Sequence, residues 1–495
     1  MSMKYLIGID IGTSATKSAL FDTEGNLIRS ASAEYPMMQP EIGWAEENPE
    51  DFWRATCKTL REITDGFDGE IVGIGLSGQM HSLVMLDERD EVIRPAILWC
   101  DQRTAKECEE LTAIIGNDEL VRISGNTAMP AFTASKLMWV RNNEPENFKR
   151  CKHVLLAKDY VRFKLTGEYV IDVSDASGMQ LMDIKTKKYS KELSDAVGID
   201  EKCLPRIMES YEVSGRVTDE AAALTGVKAG TVVAAGAGDN AAAAVGTGVV
   251  SVGDAFTTIG TSGVVFIPTE SPICDRDGRF NCFCDATGSW HVLGITQAAG
   301  LSMNWFRSSF AKNLSYREID EGAAAVPVGS EKLVYLPYLM GERTPILDSS
   351  ARGVFFGLSA VHTSAHLARA VMEGVSYSLY SCLEAISASG IEIKEMSLCG
   401  GGAKSPLWHG MLSDVYGIPV KTMISTESAS LGAAILGGCA AGVYSSVAEG
   451  SEICVRANVP LTPNAENHEK YMKLYSIYKE LYPVLKDSFR ELNNI

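Results

Sequence analysis

The 495-residue sequence predicts an α/β fold built as two related domains. Three observations lead there. The length exceeds one ordinary hydrophobic core. Short apolar runs of strand length alternate with stretches of helical periodicity. One strand–turn–strand pattern also occurs twice. Residues 5–10 are the first apolar run, Gly12-Thr13-Ser14 a turn, and residues 17–22 a second strand. Glu24-Gly25-Asn26 supplies the next turn before a third strand. Residues 49–64 have helical character, and 71–76 form another buried strand. The pattern restarts near Ser251, with a strand over 255–259, the turn Gly260-Thr261-Ser262-Gly263, and a strand over 264–267. Such a repeat fits a fold of two related halves, here 1–248 and 249–495. Chance likeness of two β-turns is the alternative that this short match leaves open. Leu367, Val371, Val375, Leu379 and Ile386 then recur at helical spacing, and Gly390 closes that helix. A strand over 395–399 runs into Gly400-Gly401-Gly402, and a helix follows over about 406–416. Beyond Asn464 the tail is one solvated helix with Tyr471, Leu474, Tyr475 and Tyr478 on its buried side.

An apolar fraction of 46% and a charged fraction of 22% are ordinary globular values and argue against disorder. The 63 acidic and 45 basic residues give a net charge of −18. That balance disfavours broad electrostatic binding to nucleic acid or to anionic membranes. It leaves phosphorylated ligands open, because backbone N–H groups hold phosphate whatever the net charge. The twelve cysteines are scattered without a CxxC pair, so reduced thiols and a cytoplasmic address are expected. No signal-peptide pattern opens the chain. The small-residue stretch 231–250 is broken by Asp239, Asn240 and several glycines, which makes it a poor membrane span.

Among motifs, the phosphate loop GxxxxGK[ST] is absent. Gly236-Ala237-Gly238-Asp239-Asn240-Ala241 matches GxGxxA, yet Asp239 would stand where a dinucleotide pyrophosphate belongs. A carboxylate at a strand's end, opening a helix, suits a positioned base better; a plain helix N-cap is the other reading. The two Gly-Thr-Ser turns are candidate phosphate cradles, since tight turns present successive N–H groups and glycine permits close approach. Asp10 before the first turn is a candidate Mg²⁺ ligand. The glycines at 400–402 would let a flat base or ribose lie against bare backbone.

Gly8-Ile-Asp10-Ile-Gly12-Thr13-Ser14 resembles the first phosphate motif of the FGGY carbohydrate kinases. Gly260-Thr261-Ser262 resembles their second, and Gly400-Gly401-Gly402-Ala403 their adenosine motif. Gly341-Glu-Arg343-Thr-Pro345 and the run from Arg352 to Leu358 resemble a longer signature of the same family. Ser77-Gly-Gln79-Met80-His81, residues 94–99 and Gly238-Asp239-Asn240 are similar to the members that phosphorylate D-xylulose. The resemblance runs from about residue 4 to 440, departing from the usual pattern at Cys100, Gln102 and Ser135. It implies two ribonuclease-H-like (actin-like ATPase) domains with ATP and sugar in the cleft between them. Gly12, Thr13, Ser14, Lys17, Gly260, Thr261, Gly401, Gly402 and Ala403 would bind ATP, and Asp10 would hold Mg²⁺. Gln79, Met80, His81, Trp99, Asp101, Asp239 and Asn240 would meet the sugar. Asp239, ionised if it keeps its ordinary pKa of about 3.9, would take the proton of the 5-hydroxyl during phosphoryl transfer. Ribulose, gluconate or glycerol is the alternative substrate. A non-catalytic actin-like regulator and a nicotinamide oxidoreductase rank below it, because neither needs both Asp10 and Asp239. Relatives of this kind are commonly homodimers, and the resemblance implies nothing stronger.

Overall fold

The computed structural model describes residues 3–493. β1 (Lys4–Ile11), β2 (Ala15–Asp22) and β3 (Leu27–Glu34) form an antiparallel meander, as the apolar runs and turns predict. α1 (Pro49–Thr64) begins where the Asn48 side chain accepts from the Glu50 N–H, with Pro49 in its first turn. Its Phe52, Leu60 and Ile63 are buried against the sheet. β4 (Glu70–Gly78) then returns parallel to β1. After α2 (Ala157–Thr166) and α3 (Val173–Gly178) come β5 (Val213–Arg216), β6 (Val232–Ala234) and the two-residue β7 (Ala237–Gly238). The sheet order is β5-β6-β4-β1-β2-β3, and β7 adds to β4 in parallel. α4 (Asp239–Gly246) leaves directly from β7.

The C-terminal half carries β8 (Asp254–Ile259), β9 (Gly263–Thr269), β10 (Asn281–Cys284) and β11 (Trp290–Thr296). Then follow α5 (Ser364–Ser387), β12 (Glu395–Cys399), α6 (Pro406–Tyr416), β13 (Val420–Thr422), α7 (Ser428–Ala440) and α8 (Ala465–Asn493). The second sheet has the order β10-β11-β9-β8-β12-β13. Strand for strand, β11-β9-β8-β12-β13 repeats β3-β2-β1-β4-β6, with two antiparallel and then two parallel pairings in each. The strand–turn–strand likeness seen in the sequence is therefore part of a topological repeat.

The halves are interlocked rather than strung in line. α7, late in the chain, packs on β1 and β4 and crosses α4 at backbone distance. A Cβ at Gly432 would stand 1.8 Å from the Ala242 carbonyl oxygen, and one at Gly75 1.8 Å from that of Ala433. Only glycine permits either approach. The excursion between β4 and β5 shares its core with the C-terminal half, where Ile123, Leu137, Met179 and Ile184 meet Val265 and Cys282. Asn126 receives the Cys282 N–H at 3.0 Å and donates to its carbonyl at 2.7 Å, while Ser177 receives the Cys284 N–H at 3.1 Å. Among the described residues no helix is long and apolar enough to cross a membrane.

Candidate active site

Three neighbouring parallel strands end side by side. β1 ends just past Asp10, β4 ends at Gly78 before Gln79, and β7 ends at Gly238 before Asp239. In register, Asp10 lies opposite Ser77 and Gly238 opposite Gly78. The carboxyl ends of parallel strands are where open α/β sheets place their ligands. Ser77 donates to Asp10 Oδ1 at 2.9 Å. Asp239 opens α4, its Oδ1 accepting the Asn240 N–H at 2.7 Å and the Asn240 side-chain amide at 2.8 Å. Burial, reinforced by the charge of Asp10 and opposed by the Asn240 bonds, pushes Asp239 up to about 7. The sequence-based expectation of an ordinary acidic pKa is thereby corrected. Asp10 is raised as well, chiefly by burial, against the Ser77 bond and the Lys17 charge.

Lys17 faces Asp10 across the β1–β2 ladder, but its ammonium pairs with Glu427 at 2.6 Å, immediately before α7. Gly12 turns the chain by donating to the Ala15 carbonyl at 3.0 Å, and Thr13 Oγ1 receives the Trp99 indole N–H at 3.0 Å. Ser14 is exposed beside them. Trp99, 37% exposed, forms a wall next to this hairpin.

His81 sits in the left-handed region at φ 67°, held because its carbonyl accepts from Lys136 at 2.9 Å and from Thr133 at 3.1 Å. Its Nδ1 meets the Gly178 carbonyl at 2.8 Å. Burial and the Lys136 charge lower it to about 3, so the ring is neutral, protonated on Nδ1, with Nε2 as an acceptor. Met80 lies under Gly238, where a Cβ would come within 2.8 Å of its Cγ. Gln79 and Asp101 are in the neighbourhood but turned inward. Gln79 is buried, donates to Glu47 at 2.9 Å and accepts from Ser82 at 3.0 Å. Asp101 is fully buried, grips Arg103 at 2.7 and 2.9 Å and receives the Ala45 N–H at 2.6 Å. That pair lays the Arg103 guanidinium 3.6 Å over the Trp44 ring.

A cavity of about 890 Å³ opens on the C-terminal half. Gly260, Thr261, Gly401 and Gly402 line it, whereas Ala403 packs against the core instead. Sequence reasoning missed Asn304, Tyr316, Arg317, Asp320 and Leu407, which complete the wall; the first four come from two helices that carry no motif, and Leu407 from the first turn of α6. It also missed Arg343 as a cleft group, although the surrounding signature marked it. Arg343 is half-buried, donates to Asn281 at 3.3 Å, and has no ion pair among the described residues. Its charge acts on His81.

The chain matches the family models for the N-terminal domain (residues 5–246) and C-terminal domain (residues 255–441) of the FGGY family of carbohydrate kinases. It is 39% identical over 489 residues to the xylulose kinase of Bacillus subtilis, covering 98% of each. The gluconokinase of the same organism is 31% identical over 500 residues, covering 99% of this chain and 97% of that protein. Among solved structures, ligand-bound xylulose kinase from Lactobacillus acidophilus superposes with a TM-score of 0.94 at 29% identity, covering 99% of this chain and all of that one. The fold is accordingly that of two-domain, actin-like sugar kinases.

Proposed function

The chain belongs to the FGGY family of carbohydrate kinases, and from that premise we propose that it transfers the terminal phosphoryl group of ATP to the 5-hydroxyl of D-xylulose. The observation that carries the chemistry is the placement of Asp239 and Asp10 at the ends of β7 and β1, the two strands that flank β4. Residues 1–248 would supply the sugar side and 249–495 the nucleotide side.

In this reading the sugar lies between Trp99, Met80 and His81, with His81 Nε2 accepting from a hydroxyl and Asn240 beside the reacting end. The 5-oxygen forms its bond to the γ-phosphorus as the bond to the bridging oxygen of ADP breaks. Its proton passes to Asp239, whose elevated affinity for protons suits a base working near neutrality. Thr13 and Thr261 offer backbone N–H groups to the phosphates, Gly12 and Gly260 use theirs to close the two turns so that phosphate can approach bare backbone, and the 890 Å³ cavity is large enough for adenosine. Two buried carboxylates, each raised by burial and Asp239 further by the charge of Asp10, fit a divalent cation. Asp10 would hold Mg²⁺, which neutralises phosphate charge. Positioning and electrostatics then carry most of the rate. Gln79 and Asp101 support the pocket from behind. The twelve cysteines, free thiols throughout, suit a reducing cytoplasm.

Arg343 favours a second reading, an aldonate such as gluconate, because its charge reaches the His81 pocket. Coupled ADP release over D-xylulose, D-ribulose, glycerol and D-gluconate separates the two. D-xylulose should give the highest kcat/KM; a preference of about tenfold or more for another sugar overturns the assignment.

A further inference from the structure

Behind Asp239 lies a buried ionic cluster that the reaction as written does not use. Lys158, Asp159 and Arg162 on α2, Asp172 at the start of α3 and Asp175 within it all have no solvent exposure. Lys158 Nζ sits 2.7 Å from Asp159, 2.6 Å from Asp172 and 3.1 Å from Asp175. Three carboxylates this close resemble a cation site, but the lysine ammonium already occupies it. Burial, reinforced by Asp172 and Asp159 and opposed by Lys158, raises the Asp175 carboxyl well above its usual range. Lys158 and Arg162 thus face three carboxylates, of which Asp175 is the one whose charged form burial disfavours. Buried ion clusters are a weak source of stability, so their place in the fold is the informative fact.

That place is the strand that presents Asp239. β7 has only two residues, and its ladder to β4 is a thin anchor. The cluster supplies two more. Arg162 donates to the Ala235 carbonyl at 2.6 Å while paired with Asp159 at 3.0 Å. Ser174 Oγ accepts the Gly238 N–H at 2.9 Å and donates to Asp172 at 2.5 Å, which in turn is fixed by Lys158. Asp175 closes the remaining space, since a Cβ at Gly238 would lie 3.1 Å from its Oδ1.

We propose that Ser174, oriented by Asp172 and Lys158, is a positioning residue that sets the approach of Asp239 to the sugar hydroxyl. This rests on the reading of Asp239 as the base. The test is a cycle of Ser174→Ala, Asp239→Asn and the double variant, with kcat and sugar KM measured on D-xylulose. Misplacement of a reacting group by an ångström costs roughly 100-fold, so S174A should lower kcat by roughly 10- to 100-fold with sugar KM changed by about twofold or less. S174T, which keeps the hydroxyl, should restore most of it. In the D239N background S174A should change residual turnover by about twofold or less, because nothing remains to position. An equal loss in both backgrounds, or near-normal kcat in folded S174A, overturns the proposal. Near-normal turnover in D239N alone overturns the base reading beneath it. Should S174A not fold, Asp172→Asn keeps the cap's shape while loosening the Ser174 hydroxyl, and the same background dependence is required of it.

Discussion

Asp239 accepts twice from Asn240 and still holds its proton to about pH 7, because burial and Asp10 outweigh those bonds. A base must be deprotonated to act. At low nucleotide concentration, where the free enzyme titrates, kcat/KM should rise with pH up to about 7 and level above it. A pH–rate profile flat from 5 to about 8 would contradict this assignment. Glu47 gives a second pH effect, on stability. Burial, with Asp51 adding and Gln79 opposing, raises it to about 8. A raised folded-state pKa means stability that is full below about 4.5 and lost as pH climbs through 8, at most about 1.4 kcal/mol per pH unit. Glu47→Gln should flatten the unfolding midpoint across that window. Asp10 and Asp239 were legible in the sequence because a carboxylate ending an apolar strand is a local pattern. The proton affinity of Asp239 was not, since it depends on burial and on a residue 229 positions away in the chain. Gln79 was expected to meet the sugar from its motif, but its engagement by Glu47, which turns it inward, arises only when the end of β4 meets the short strand before α1.

At the scale of elements, strands and helices followed local rules closely. α1 and α6 begin at prolines and end where expected, and α8 buries Tyr471, Tyr475 and Tyr478 along one face. β7 was too short to carry any periodic signal, and its pairing to β4 is non-local. The crossing of α7 over α4 is likewise silent in the sequence except as small residues. Its packing predicts that Gly432→Ala, whose Cβ would stand 1.8 Å from the Ala242 carbonyl, costs about 2 kcal/mol or more. Denaturant titration measures it; an unchanged midpoint would show that the helices separate freely. The same crossing ties Asp239, on α4, to Glu427 and Lys17 beside the first hairpin.

For the whole molecule, the repeat of strand order gives the two Gly-Thr-Ser turns equivalent places, each following the first strand of an equivalent sheet, which supports the proposal that both serve phosphates. What the sequence did not reveal is the docking of the excursion between β4 and β5 on β10, which joins the halves at Asn126 and Ser177. If the halves close around both substrates, that contact and the packing of α7 on β1 and β4 are what the motion has to accommodate. Small-angle scattering with D-xylulose and a non-hydrolysable ATP analogue should therefore show a smaller radius of gyration than either ligand alone; an unchanged radius would exclude large closure. The proposed catalysis depends on a carboxylate that acts on the sugar rather than merely binding it. The most direct measurement is turnover of Asp239→Asn beside its affinity for D-xylulose by calorimetry. Affinity within about threefold of the parent with kcat reduced by roughly 1,000-fold or more is the predicted result. Near-parental kcat, or loss of binding with turnover retained at saturation, would contradict it.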